Sequence, residues 1–205
     1  MRTAILASGR GSNLQALIAT CQSGNLPIEI VAVGSDLPGA GALMLAEEAG
    51  ISARVFPISN YQHRQAQEED ILIWMQNNEV ELLLLAGYMR VLSPYCMSQI
   101  HFPVLNIHPS LLPAFPGLHA QRQALEYGVK VSGCTVHFVD EGLDSGPIIL
   151  QEAVPVLSED TEESLSQRIL AVEHRLYSDA VRLLALGKVV RTGRRVHILQ
   201  QEELE

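Results

Sequence analysis

Residues 3–13 read TAILASGRGSN, a short apolar run followed by a glycine-rich loop. The apolar run at residues 3–7 is typical of a β-strand that is buried on both faces. Apolar side chains then recur at helical spacing, at Leu14, Leu17, Ile18 and Cys21. The order strand, glycine-rich loop, helix predicts the first crossover unit of a parallel α/β sheet.

Apolar strands and amphipathic helices continue to alternate along the chain, which extends the same prediction. We predict further strands at residues 28–33, 52–58, 82–86, 104–108, 133–139 and 148–156. We predict helices at residues 42–49, 61–78 and 119–127. A long helix opens with Asp160 and Glu163 in the pattern of a capping box and stops at Gly187. The tail from Arg191 is more polar, and we expect it to fray.

Composition limits the classes of function. The chain has 205 residues, 47% of them hydrophobic, and a net charge of −9. This length suits about one domain at ~150 residues each. The acidic balance argues against a nucleic-acid partner, which requires a surplus of Lys and Arg. Three scattered cysteines, no signal peptide and no apolar run long enough to cross a bilayer predict a soluble, cytoplasmic protein.

The loop at residues 8–13 is the first candidate site. A helix N-terminus after a glycine-rich loop presents backbone N–H groups that suit a phosphate. The dinucleotide fingerprint fails because its third glycine would fall on Leu14, and no Gly-Lys-Ser/Thr sequence follows. The loop therefore favours a single phosphate, approached closely at Gly11, and the alternative is a plain glycine-rich turn.

Two further stretches carry side chains suited to catalysis. Asn106 and His108 are two residues apart on one predicted strand, which Pro109 ends, so both point to the same side at its carboxyl end. Both can donate hydrogen bonds to a developing oxyanion. Asp140, Glu141 and Asp144 lie on a glycine-bounded acidic loop, and one of these three carboxylates is able to orient His108. A structural Asn–His pair and a solvated acidic turn are the alternatives. No metal-binding spacing occurs, so we expect no metal.

Taken together, these segments resemble the folate-dependent phosphoribosylglycinamide formyltransferase family. The resemblance runs almost end to end and is most specific in four stretches. These are residues 85–90 (LAGYMR), 105–113 (LNIHPSLLP), 116–119 (PGLH) and 142–149 (GLDSGPII). It implies a Rossmann-like, mostly parallel twisted sheet with helices on both faces. It also implies one formyltransferase domain over residues 1–205, with a ribotide phosphate-binding half at about 1–100 and a folate-binding and catalytic half at about 101–190.

The resemblance also implies an activity and a set of site residues. The formyl group of 10-formyltetrahydrofolate would pass to the amine of 5-phosphoribosylglycinamide, with no metal and no partner beyond a second copy of the chain. The catalytic residues would be Asn106, His108 and Asp144. The ribotide would contact Gly11, Ser12, Asn13 and Glu173. The folate would contact Arg64, Met89, Arg90, Val91, Leu92, Asn106, Asp140, Glu141, Gly142, Leu143 and Asp144.

One position departs from the pattern of the family. Some members have Lys three residues before the residue that matches Glu173, whereas this chain has Leu170. Phosphate binding would then depend more on the loop N–H groups, with help from Arg10. The alternatives are a formyltetrahydrofolate hydrolase, a formyltransferase for another amine and a non-catalytic nucleotide-binding module. The loop at Gly11–Asn13 and the shortness of the chain favour the ribotide.

Overall fold

The computed structural model describes residues 1–200 and has an α/β fold. In the described residues the strands are β1 (Arg2–Leu6), β2 (Glu29–Ser35), β3 (Ser52–Val55), β4 (Leu82–Leu85), β5 (Val104–His108), β6 (Val131–Phe138), β7 (Ile148–Pro155), β8 (Val189–Thr192) and β9 (Arg195–Ile198). The helices are α1 (Ser12–Gln22), α2 (Gly41–Glu48), α3 (Arg64–Asn77), α4 (Pro94–Gln99), α5 (Ala120–Tyr127) and α6 (Glu162–Ala185), with a 3₁₀ turn at Ile58–Asn60.

Seven strands form one sheet in the order β3-β2-β1-β4-β5-β6-β7. β1 pairs in parallel with β2 and β4, β2 pairs in parallel with β3, and β6 pairs antiparallel with β7. The predicted α/β class and mostly parallel sheet are confirmed.

The chain divides into two compact units, and the boundary falls inside β5, between Leu105 and Asn106. In the first unit, β1 and β4 are almost entirely buried, as their apolar sequences predict. In the second unit, α6 packs against β6 and β7 and buries Tyr177 completely. That the whole chain acts as one formyltransferase domain stays a prediction.

The start of α6 differs from the prediction. The capping box is formed by Thr161 and Ser164, one residue later than the predicted pair Asp160 and Glu163. The Asp160 carboxylate is instead held by Arg168, through hydrogen bonds of 2.7 and 2.8 Å. The bidentate charged contact takes the side chain that would otherwise have capped the helix.

The expectation of a fraying tail was wrong for the residues up to Ile198. β8 and β9 form an antiparallel hairpin joined by Gly193 and Arg194. Gly193 has φ +61°, and a glycine with positive φ is what a two-residue hairpin turn requires. The last five residues, 201–205, lie outside the described part of the chain.

Gly11 is required by packing as well as by its backbone conformation. It has φ +82°, and a Cβ at this position would lie 2.8 Å from the Cα of Ala42 and 3.0 Å from the Leu45 side chain. The expectation that a side chain at Gly11 would meet only an approaching phosphate therefore needs correction. A Gly11→Val variant would displace α2 and would test the fold before it tested the ligand.

Candidate active site

Asn106 and His108 lie at the carboxyl end of β5, on one side of the strand. The His108 side chain is 6% exposed. Its Nε2 lies 2.8 Å from the carbonyl oxygen of Phe115, and its Nδ1 lies 3.3 Å from Asp144 Oδ2. Both ring nitrogens thus face an acceptor, and the Phe115 carbonyl is the closer one.

Asp144 approaches this pair from the loop between β6 and β7. Its backbone has φ +47°, a left-handed conformation that Asp adopts more readily than most side chains but that still costs energy. The backbone N–H of Gly117 donates a hydrogen bond of 2.8 Å to Asp144 Oδ2. The three residues predicted to be catalytic are therefore brought together in the second unit.

His137 is a fourth member of this cluster, and it was not singled out in the sequence. Its Nδ1 lies 2.8 Å from the Phe138 carbonyl oxygen, which fixes the proton on Nδ1 and leaves Nε2 as an acceptor. Asn106 Nδ2 lies 3.2 Å from that Nε2 and donates to it. His137 lies on the buried strand β6, which is next to β5, the strand of Asn106 and His108. A polar residue on a predicted buried strand was the signal that could have identified it.

The charge state of His137 agrees with this arrangement. Burial lowers the pKa of its imidazole from the usual value, although the Phe138 carbonyl and Asp144 act in the opposite direction. A neutral ring keeps Nε2 free to accept from Asn106. The orientation of the Asn106 amide is therefore set by a histidine that stays neutral.

The three side chains that are predicted to be catalytic share one pattern. Each has one close contact with its surroundings: His108 with Phe115, Asn106 with His137, and Asp144 with Gly117. Their contacts with one another are longer. Asn106 Nδ2 lies 3.5 Å from Asp144 Oδ1, and His108 Nδ1 lies 3.3 Å from Asp144 Oδ2. The three side chains are therefore held in place by their surroundings, and they do not use up one another's hydrogen-bonding capacity.

The acidic loop is built around Asp140. Its Oδ1 accepts hydrogen bonds from the backbone N–H of Gly142, at 3.1 Å, and from Ser145 Oγ, at 2.6 Å. A Cβ at Gly142 would lie 2.1 Å from Ser145 Oγ. Glu141 and Leu143 are exposed at the tip. Asp140 therefore shapes this loop from within.

The predicted phosphate loop lies in the first unit. Gly11 precedes α1, whose first two residues are Ser12 and Asn13. Within residues 1–200, no side chain caps the first turn of α1. Ser8 Oγ donates to Asp36 Oδ1 at 2.5 Å and accepts from the backbone N–H of Met89 at 2.9 Å. Ser8 thereby connects this loop to the segment predicted to bind folate.

That segment, Met89 to Leu92, is held by Arg64. The Arg64 guanidinium donates to the Val91 carbonyl oxygen and forms an ion pair of 3.0 Å with Glu68. Met89 and Val91 are more than half exposed, and Arg90 is half-buried. Leu92 is 4% exposed, so its side chain belongs to the core and only its backbone is open to a ligand.

Glu173 lies on α6 and is 6% exposed, which is unusual for a carboxylate. Its negative charge contributes to raising the pKa of Cys134 to about 12, although burial of the thiol is the larger cause. Leu170 is half-buried one turn earlier on the same helix.

Two features are absent from residues 1–200. No helix within residues 1–200 is long and apolar enough to cross a bilayer. Over the same residues, no group of three or more His, Cys, Asp or Glu side chains is arranged to hold a metal ion.

Comparison with known proteins identifies the family. The sequence profile of the formyl transferase family matches residues 1–181. The chain belongs to this family. It is 41% identical over 181 residues to phosphoribosylglycinamide formyltransferase from Bacillus subtilis, covering 88% of this chain and 93% of that protein. The family resemblance seen in the sequence is confirmed.

Other relatives differ in length or in stated activity. The chain is 47% identical over 188 residues to the trifunctional purine biosynthetic protein adenosine-3 of Drosophila melanogaster, covering 91% of this chain but only 14% of that protein. The crystal structure of glycinamide ribonucleotide transformylase 1 from Symbiobacterium toebii matches with a TM-score of 0.95, at 51% identity and 98% and 94% coverage of the two chains. A formyltetrahydrofolate deformylase from Pseudomonas syringae matches with a TM-score of 0.89, at 28% identity and 97% and 66% coverage.

The neutral state of His137 predicts a pH dependence of stability. Folding lowers the pKa of the His137 imidazole. At pH values below about 6.5, the usual pKa of His in an unfolded chain, the unfolded chain therefore binds more protons than the folded one. The free energy of unfolding should therefore fall as the pH is lowered from about 7 to 5.5, and His137→Gln should reduce this slope. Urea denaturation at each pH measures it. An unchanged slope in the variant would contradict a buried neutral His137.

Proposed function

We propose that the protein transfers the formyl group of 10-formyltetrahydrofolate to the amine of 5-phosphoribosylglycinamide, giving formylglycinamide ribotide and tetrahydrofolate in purine biosynthesis. The observation that carries the proposal is the cluster of Asn106, His108 and Asp144. It supplies hydrogen-bond donors and a carboxylate, which are the groups that formyl transfer to an amine requires.

The long contacts around Asp144 suggest where the reaction takes place. Attack of the amine on the formyl carbon turns the formyl oxygen into an oxyanion. Asn106 donates one N–H to His137, and its amide nitrogen lies 3.5 Å from Asp144 Oδ1, so its second N–H would be available to donate to this oxyanion. His108 has Nε2 beside the Phe115 carbonyl and Nδ1 beside Asp144, and when both ring nitrogens carry a proton it would donate from Nδ1 to the same oxyanion. Loss of one such donor typically lowers the rate by ~10²–10³.

Asp144 serves both the histidine and the amine in this proposal. Its carboxylate lies 3.3 Å from Nδ1 and orients the imidazole of His108 through that contact. The attacking amine must also lose a proton, and Asp144 or a water molecule beside it accepts that proton. The oxyanion then collapses, the bond from the formyl carbon to the folate nitrogen breaks, and that nitrogen takes up a proton, equivalent to the one that the amine lost, and leaves as tetrahydrofolate. No covalent intermediate with the protein is required, because the amine attacks the formyl carbon directly.

The ribotide would be held by its phosphate and its ribose. The first turn of α1, at Gly11, Ser12 and Asn13, offers backbone N–H groups to the phosphate. Arg10 is exposed beside it and adds a positive charge, which matters because position 170 is Leu. Glu173 would accept hydrogen bonds from the ribose hydroxyls.

The folate would contact the segments that the sequence predicts for it. Arg64 and residues 89–92 would bind its tail, with Arg64 positioned by Glu68 and Val91. The loop from Asp140 to Asp144 would close over the pterin. Arg64 retains room for a carboxylate ligand because its side chain is 45% exposed in the presence of both contacts.

A formyltetrahydrofolate hydrolase is the second candidate. The observation that favours it is the match to the deformylase structure, which shows that the same fold accompanies a different stated reaction. The higher identity and fuller coverage of the relatives named as ribotide formyltransferases favour transfer. We further propose a cytoplasmic monomer or homodimer that acts on small molecules, consistent with three free cysteines.

A spectrophotometric assay of a 10-formyl-folate, with and without glycinamide ribotide, tests the proposal. We expect the deformylated folate to appear only when the ribotide is present, together with the formylated ribotide. Equal product formation without the ribotide would identify a hydrolase. Folate binding without any turnover would identify a non-catalytic module.

A substitution at Ser12 tests the phosphate site. Asp at the first position of a helix is favourable for the helix, yet its carboxylate would repel a phosphate at the same place. Ser12→Asp should raise the KM for the ribotide roughly tenfold or more and leave the KM for the folate unchanged. Ser12→Asn is the control, because Asn is nearly the same size as Asp and carries no charge. Similar KM values for the ribotide in the two variants would exclude a phosphate there.

A further inference from the structure

The hairpin of β8 and β9 reaches the loop that carries Asp144. Arg194, at its turn, donates a hydrogen bond of 2.8 Å from its guanidinium to the carbonyl oxygen of Ser145. Ser145 directly follows Asp144 in the chain. Both residues of this contact lie in the second unit, and the hairpin itself lies beyond residue 181, where the match to the family profile ends.

Two other contacts hold the hairpin against the same region. β9 packs beside β7, the strand that leaves the acidic loop. The Arg191 guanidinium lies over the ring of Phe138, 5.8 Å from its centre, at the end of the strand that enters the loop. These two contacts therefore hold the turn that carries Arg194 against the acidic loop.

The acidic loop has a physical need for this contact. Asp140, Glu141 and Asp144 place three negative charges within five residues, and they repel one another. Asp144 also has a left-handed backbone, a conformation that persists only where its surroundings determine it. A cation bonded to the next carbonyl offsets the repulsion and restricts the peptide that follows Asp144. Asp140 braces the loop from within, and Arg194 braces it from outside.

We propose that Arg194 is a positioning residue for catalysis, which holds the backbone of the loop so that the Asp144 carboxylate stays beside His108 and Gly117. The expected effect of Arg194 on the reaction rate rests on the proposed function. The structural consequence is independent of it, because the hydrogen bond from Gly117 to Asp144 reports directly where that carboxylate lies.

The test compares Arg194→Ala with Arg195→Ala, which removes the same charge from the neighbouring exposed position. Amide hydrogen exchange of the ligand-free chain is measured at the backbone N–H of Gly117. Gly117 lies outside the hairpin, so its exchange reports on the Asp144 carboxylate and not on the hairpin's own hydrogen bonds. We expect exchange at Gly117 to be roughly three- to tenfold faster in Arg194→Ala and unchanged in Arg195→Ala. Arg194→Lys, which can still donate to the Ser145 carbonyl, should restore most of the protection.

Kinetics supply the second readout. In the ribotide-dependent assay, Arg194→Ala should lower kcat about three- to tenfold while the KM for the ribotide stays constant. Equal exchange at Gly117 in the Ala variants of both arginines would overturn the proposal. Failure of the proposed function would look different, because the wild-type chain would then show no ribotide-dependent turnover while the exchange comparison would still give its result.

Discussion

The position of the Asp144 carboxylate is the constraint on which the candidate active site depends. Its backbone is held in a left-handed conformation, and its oxygens lie within 3.8 Å of Gly117, His108, Asn106 and His137. Only the contact with Gly117 is short. A carboxylate fixed by one backbone N–H keeps the rest of its hydrogen-bonding capacity for groups that change charge during a reaction.

The residues around Asp144 are arranged by partners outside the reacting set. The Phe115 carbonyl takes one nitrogen of His108, and neutral His137 takes one N–H of Asn106. These contacts fix the side chains without occupying the atoms that would face a formyl group. Preorganisation of this kind lets donors act on an oxyanion without reorienting at the moment of reaction.

The sequence predicted the fold, and it singled out the three residues that the structure brings together in the candidate site, because these signals are local. Pro109 ends β5 directly after His108, and the strand appears at the predicted residues 104–108. The roles of His137 and of the Phe115 carbonyl were not predictable in this way. His137 is placed by the position of β6 beside β5 in the sheet, and the Phe115 carbonyl is placed by a loop backbone with φ +53°. Neither feature produces a recognisable pattern in the neighbouring sequence.

The errors have physical causes of the same kind. The polar tail was expected to fray because its composition is charged, yet Gly193 permits a tight turn and the hairpin packs beside β7. The capping box shifted by one residue because Arg168 binds Asp160 from two turns along the helix. In both cases a contact with residues outside the local pattern, which the local sequence does not specify, decided the outcome.

The most direct test of this account is a double-mutant cycle on kcat with His108→Ala, Asp144→Asn and the double variant, in proteins of matched thermal stability. If Asp144 acts through His108, each single change should lower kcat by ~10² or more, and the double variant should be scarcely worse than the worse single variant. If the two losses multiply, Asp144 does not act through the imidazole, and the central claim is contradicted.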